Sequence, residues 1–152
     1  MSGKPAVPVV IDTNVLVPSI YSFTHIARFI YEGNMVLIWN EFIYSEACEI
    51  INRLSDYYLK KANIQVEEVI RFLDYFVSIG RKVPDMPEDW PPVIVNDRDD
   101  DNFLWAALMG ESEYIISCDD SHMLKLKKYM GIPIGTPRGF FDWVRVVHPM
   151  SV

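Results

Sequence analysis

Sulfur ligands and surplus positive charge are what this chain has least of. It has only two cysteines, Cys48 and Cys118, in 152 residues, and they form no CxxC pair. That excludes a disulfide scaffold and a Cys/His zinc cluster, and it fits a reduced, cytoplasmic setting. Lys and Arg number 14 against 21 Asp and Glu, giving a net charge of −7, the wrong sign for a passive nucleic-acid binder. No apolar run is long enough to span a bilayer and the first residues carry no signal-peptide pattern, so no membrane association is expected. Repeats, low-complexity tracts and interdomain linkers are missing as well. Hydrophobic residues make up 50% and aromatics 13%, which excludes a disordered chain and supports one cored domain over residues 1–152.

The apolar pattern switches repeatedly between strand and helix. Val7 to Ile11 is a β-branched run closed by Asp12, as in a central strand buried on both faces. Ser22 to Tyr31 has helical spacing, and Met35 to Trp39 reads as a second strand. Asn40 caps a helix from Glu41 to about Leu54, whose apolar face holds Phe42, Ile43, Ala47, Ile50 and Ile51. Asp56 to Ala62 reads as a break, Val66 to Ile79 as a further helix, and Arg81 to Val83 as a short edge strand. A proline-rich loop from Met86 to Val95 leads into the acidic helix that starts near Asp99 to Asp101. Tyr114 to Ile116, then Ile132 to Ile134, read as the last strands, the latter edge-like because of Pro133. Thr136-Pro137 opens a final helix. Strands alternating with helices predict a three-layer α/β/α sandwich around a mainly parallel sheet.

Carboxylates gather where such sheets bind ligands, beyond the carboxyl ends of the strands. A helix of about ten residues and a strand of about five have similar lengths, about 15 Å each. A helix running antiparallel to the strand it feeds therefore sets its first turn beside the strand's end. This brings Asp101 towards Asp119. Like charges held together are unfavourable unless a cation or proton lies between them, so convergence points to a divalent-metal site. Glu46 borders the buried stripe of its helix, whereas Glu49 pairs with Arg53 on the surface. Lys125, Lys127 and Lys128 follow the acidic edge, where a phosphate backbone can be held; a solvated face accounts for them equally well. Asp12 and Asp99 or Asp100 have a rival reading as helix caps.

Five segments in order, V-V-I-D-T-N-V-L, Y-S-E-A-C-E-I-I-N-R-L, D-R-D-D-D-N-F-L-W-A-A-L, Y-I-I-S-C-D-D and I-P-I-G-T-P-R-G-F-F, span residues 7 to 144. In that order they resemble the signatures of the PIN domain family, nearest the stand-alone toxins of prokaryotic toxin–antitoxin systems. The resemblance implies a five-stranded parallel sheet ordered 3-2-1-4-5 and a ribonuclease that depends on Mg²⁺ or Mn²⁺. It maps the family's four acids, as metal ligands and catalytic residues, onto Asp12, Glu46, Asp101 and Asp119. Thr13 and Asn14 fall where a water or phosphate oxygen is held. It further implies an RNA substrate and an antitoxin partner. Helix-side pairing in the family, with the aromatics of Tyr57 to Ile79, leads to the expectation of a homodimer. Two departures stand out. Ser117-Cys118-Asp119 replaces the family's usual Thr-x-Asp, and Arg98 replaces a proline ahead of the aspartates.

Hard oxygen donors suit Mg²⁺ or Mn²⁺ rather than zinc. His122 is the histidine next to the acids, but a lone histidine at a helix start is more often structural. Three rivals compete with the nuclease: a scaffold of the same fold that binds RNA or a protein without cutting, a phosphotransfer module, and an acidic structural protein. The phosphotransfer classes fit poorly, because Asn14 stands where D-x-D is wanted and no lysine follows Ile134. A purely structural role leaves four acids at one edge without an explanation.

Overall fold

The computed structural model describes residues 6–94 and 97–149. The chain begins with β1 (Val7–Ile11), α1 (Thr13–Ser22), α2 (His25–Tyr31), β2 (Met35–Trp39) and α3 (Glu41–Arg53). It continues through α4 (Ser55–Ala62), α5 (Val66–Ser78), β3 (Arg81–Lys82), a 3-10 turn (Arg98–Asp100) and α6 (Asp101–Met109). It ends with β4 (Tyr114–Ile116), α7 (Met123–Leu126), β5 (Lys128–Tyr129), β6 (Ile132–Gly135) and α8 (Pro137–Val147).

β1 is the centre of the sheet, and all five of its residues are buried. A strand covered by helices on both faces has no solvent side, so its sequence is apolar throughout rather than alternating. The sheet order is β3-β2-β1-β4-β6-β5, parallel everywhere except between β5 and β6. The five parallel strands take the expected order, but the sheet has six strands. The extra one, β5, is a two-residue strand that folds back on β6 through Met130 and Gly131, both at positive φ. β6 is therefore flanked on both sides rather than lying at the edge.

Successive strand residues point to opposite faces, and they feed two cores. Val7, Val9 and Ile11 of β1, Met35 and Leu37 of β2 and Tyr114 and Ile116 of β4 pack against α1, α2, α3, α5 and α8. Val10, Ile38 and Ile115 point the other way, onto Phe103, Leu104, Ala106 and Ala107 of α6. This is the expected three-layer sandwich.

Three local readings are corrected. The segment before β2 is two helices, because Phe23 turns left-handed (φ 44°) and ends α1. Asp56 to Ala62 is helical, as α4; none of its residues is fully buried, and Tyr58 packs partly against the core by stacking on Tyr21. Glu49 and Arg53 are both exposed, and no ion pair joins them among the described residues. Asn40 does cap α3, accepting from Ile43 N–H at 3.0 Å, and Thr136 caps α8, accepting from Gly139 N–H at 3.1 Å. The end of the proline-rich loop, Val95 and Asn96, lies outside the described residues.

Candidate metal centre

Parallel register sets Ile11 beside Ile116, so Asp12 and Ser117 leave the sheet side by side at its carboxyl edge. Asp12 N–H donates to Ile116 C=O at 2.9 Å, extending the ladder by one step. Its carboxylate caps α1, with Oδ1 accepting from Asn14 N–H at 3.2 Å. Oδ2 accepts from the Ser117 hydroxyl at 2.9 Å. The N-cap and the strand-end charge are thus one group, and the two readings of Asp12 do not compete. Ser117 is fully buried and also accepts from Asp119 N–H at 3.0 Å. One hydroxyl therefore positions two acids. The Asp119 carboxylate accepts from the N–H groups of Ser121 at 3.0 Å, His122 at 3.3 Å and Met123 at 3.4 Å.

A cavity of about 490 Å³ opens over this edge, lined by Asp12, Asn14, Asp97, Asp100, Cys118, Asp119, Asp120, Ser121 and His122. Asp97, Asp100 and His122 each bring a donor atom within 4.8 Å of the others. Both Asp119 and Asp120 reach the cavity wall. Cys118 is exposed on that wall.

Asp101 does not line this cavity. It is fully buried, and it accepts from Val93 N–H at 3.2 Å, Ile94 N–H at 2.9 Å and the Arg98 guanidinium at 3.0 Å. Arg98 also donates to the carbonyls of Glu88 and Trp90, at 3.2 and 2.6 Å. Arginine in place of the family's proline here fastens the proline-rich loop to the start of α6. The acid that faces the cavity from this segment is Asp100, one residue earlier.

Glu46 stands outside the cavity wall, half-buried on α3, and accepts a short hydrogen bond from the Thr13 hydroxyl. That hydroxyl is committed to Glu46, while Asn14 is exposed at the cavity. Lys125, on α7, and Lys127, at its carboxyl end, are exposed but line no part of the cavity.

The electrostatics follow from this crowding. Burial pushes the Asp12 carboxyl up; Asn14 N–H and Ser117 hold it back, while the charges of Asp119 and Asp97 push it further. Burial also raises Glu46, against the Thr13 hydrogen bond and with Asp12 and Asp99 adding to the rise. Asp100 is pushed up to about 8, first by burial and then by the charges of Asp97 and Asp12. Asp119 is the exception: burial raises it, but the three backbone donors and His122 win, and it ends lowered. Carboxylates that resist joint ionisation call for a cation. Mostly hard oxygen donors, with no thiolate cluster, suit a divalent ion such as Mg²⁺ or Mn²⁺, so the residues present fit one.

Of the nine residues lining the cavity, only Asp12, Asn14 and Asp119 are expected in the site from the sequence; Asp97, Asp100 and His122 are the cluster of possible ion ligands that the sequence reading leaves out. The choice between Asp100 and Asp101 had a usable signal. Asp101 and Leu104 are three apart, hence on one helix face, and Leu104 is a core residue, so that face turns into the protein.

A doubly wound α/β domain with acids gathered over adjacent central strand ends belongs to the class of α/β folds able to hold a divalent cation at the sheet's carboxyl edge. The description "PIN domain" fits residues 8–121, and the chain belongs to that family, whose fold generally serves metal-dependent nucleases. Among solved structures it is similar to PAE2754 from Pyrobaculum aerophilum. The TM-score is 0.55, at 12% identity, over 93% of this chain and 92% of that one; this likeness carries the fold alone. No curated protein matches the chain. Among the described residues no helix is long and apolar enough to cross a membrane.

Proposed function

We propose that this PIN domain is a divalent-metal-dependent ribonuclease, acting as the toxin of a toxin–antitoxin pair. The observation that carries the nuclease reading is the convergence of Asp12, Asp97, Asp100 and Asp119 on one cavity at the sheet's carboxyl edge. These four would hold the ion, in place of the set Asp12, Glu46, Asp101 and Asp119 that the resemblance implies. When bound, such an ion supplies positive charge against a phosphodiester in its transition state and makes water a better nucleophile at neutral pH.

The chain's own residues prepare that chemistry. Ser117 fixes the Asp12 carboxylate and the Asp119 backbone together, and Thr13 orients Glu46 beside Asp12. Asn14, exposed at the cavity, offers a neutral donor to a phosphate oxygen.

RNA as substrate, the antitoxin and a homodimer rest on the family resemblance. The exposed rings of Tyr31, Tyr57 and Tyr75 on the helical side support a protein partner there, and sedimentation of the purified chain tests self-association. The activity is tested by incubating the protein with a panel of structured and unstructured RNAs in Mg²⁺, Mn²⁺ or chelator. Cleavage confined to the metal-containing samples is expected. Intact RNA throughout, or cleavage indifferent to chelator, would leave a binding scaffold as the better reading.

A further inference from the structure

His122 enters the cavity from the turn after β4, with its side chain 35% exposed. Its Nδ1 lies 3.5 Å from Asp97 Oδ2 and 3.5 Å from Asp119 Oδ2. Neither separation is a normal N–H···O hydrogen bond, whose length is about 2.7–3.2 Å. The nitrogen stands between two acids without bonding to either. Its backbone is held in place, because His122 N–H donates to Asp119 Oδ1 at 3.3 Å. The donor atoms of His122, Asp97 and Asp100 also lie within 4.8 Å of one another. Around one ion with bonds of about 2.1 Å, adjacent donors lie about 3 Å apart and opposite ones about 4 Å. The three groups can therefore close on a single ion with small side-chain movements.

Resting on the reading of this cavity as a divalent-ion site, we infer that His122 is itself a metal ligand, and that its imidazole makes the site select Mn²⁺ or Co²⁺ over Mg²⁺. Mg²⁺ is a hard ion that favours oxygen and releases water reluctantly. Imidazole suits the later first-row ions, and affinity of a given site for them rises from Mn²⁺ to Ni²⁺. An all-carboxylate site has little reason to tell Mg²⁺ from Mn²⁺; one nitrogen donor supplies it. Asp119 already accepts three backbone N–H bonds, so its own satisfaction does not require the ring. The competing account is an imidazolium that merely pairs with Asp97 and Asp119.

The test is pulsed electron paramagnetic resonance of Mn²⁺ bound to the full chain, beside calorimetric titrations of Mn²⁺ and Mg²⁺, for wild type, His122→Ala and His122→Asn. Imidazole-nitrogen couplings are expected in the wild type and in neither variant. Mn²⁺ affinity should fall about tenfold or more in both variants, the range expected when a metal site loses a supporting group, while Mg²⁺ affinity changes less than twofold. His122→Asn keeps a polar side chain at the turn, so loss of the couplings in a variant that melts like wild type separates ligation from folding. Mn²⁺ bound in the wild type without nitrogen couplings overturns the assignment and leaves the metal site standing. Equal losses for both ions overturn the selectivity. If wild type binds no Mn²⁺ at all, the metal reading of the cavity falls and the role of His122 with it.

Discussion

Asp100 and Asp101 are neighbours whose carboxylates face different worlds. Asp101 is fully buried and takes three hydrogen bonds from Val93, Ile94 and Arg98, whereas Asp100 lines the acidic cavity. The 3-10 turn Arg98–Asp100 running into α6 sets the two side chains in different directions. One acid holds the loop, and the other is offered to a cation.

Opposite responses to the same substitution follow. Asp101→Asn removes the charge that Arg98 and two N–H groups were arranged around, and hydrogen bonds to charged groups contribute about 1.5–3 kcal/mol each. A loss of about 2 kcal/mol or more in a urea melt is expected. Asp100→Asn relieves repulsion, so its stability without metal should equal or exceed wild type. If Asp100→Asn is the less stable of the two, the division of roles is wrong.

The raised carboxyls also fix the sign of a pH dependence. A group that binds its proton more tightly folded than unfolded leaves the folded state with more protons between the two pKa values. For Asp100 that window runs from the ordinary aspartate value of 3.8 to about 8, and stability without metal should fall as pH rises through it. Asp12 and Glu46 act in the same direction. Asp119, lowered, acts oppositely, its contribution being lost as pH falls below the usual carboxylate range. Melts in chelator at pH 5.5 and 8.5 should show the lower stability at the higher pH, and saturating Mn²⁺ should erase most of the difference. A metal-free protein more stable at pH 8.5 would contradict the account.

Much of the fold is legible in the sequence, and the reasons are local. V-P-V-V-I and M-V-L-I-W read as strands because burial on both faces leaves them unbroken by polar residues. Asn40 and Thr136 announce the helices they cap. What escapes is small: α4 has no fully buried residue and meets the core through half-buried Tyr58, and β5 is two residues long. At the site, Asp12 and Asp119 are legible as charges at the ends of buried strands. Which member of D-D-D faces the cavity is legible only through the spacing of Asp101 from core Leu104; the loop N–H groups and Arg98 that claim Asp101 leave no such signal. His122 is hidden for a similar reason, since its place beside Asp97 depends on how β4 docks against that turn.

Ser117 offers a way to disturb the site without removing a carboxylate. Ser117→Ala deletes the hydroxyl that holds Asp12 Oδ2 and accepts from Asp119 N–H, while its small volume preserves the packing. The protein should fold, with Mn²⁺ affinity down about tenfold, as for other groups that orient ligands. Ser117→Thr restores the hydroxyl and should recover most of it. Wild-type Mn²⁺ affinity in the alanine variant would show that the hydroxyl positions nothing of consequence.

Thr13 separates the role of Glu46 from that of the cavity acids. Thr13→Val keeps the shape and removes the hydrogen bond to Glu46, so turnover should fall while Mn²⁺ affinity, held by residues lining the cavity, stays within about threefold of wild type. Loss of affinity as large as that in Asp100→Asn would instead make Glu46 part of the ion's own shell.

The most direct measurement is cleavage of RNA in Mn²⁺ by wild type and by Asp12→Asn, with a denaturant melt of each. Asn keeps one oxygen to accept the N–H of Asn14, and its Nδ2 can donate to the Ser117 hydroxyl oxygen in place of the bond that Asp12 accepts, so the fold should survive with its stability unchanged or raised. Turnover should drop by orders of magnitude, because the buried charge at the end of β1 is gone from the edge where the ion is held. Full activity in a folded Asp12→Asn protein would contradict the central claim that this edge is the catalytic centre.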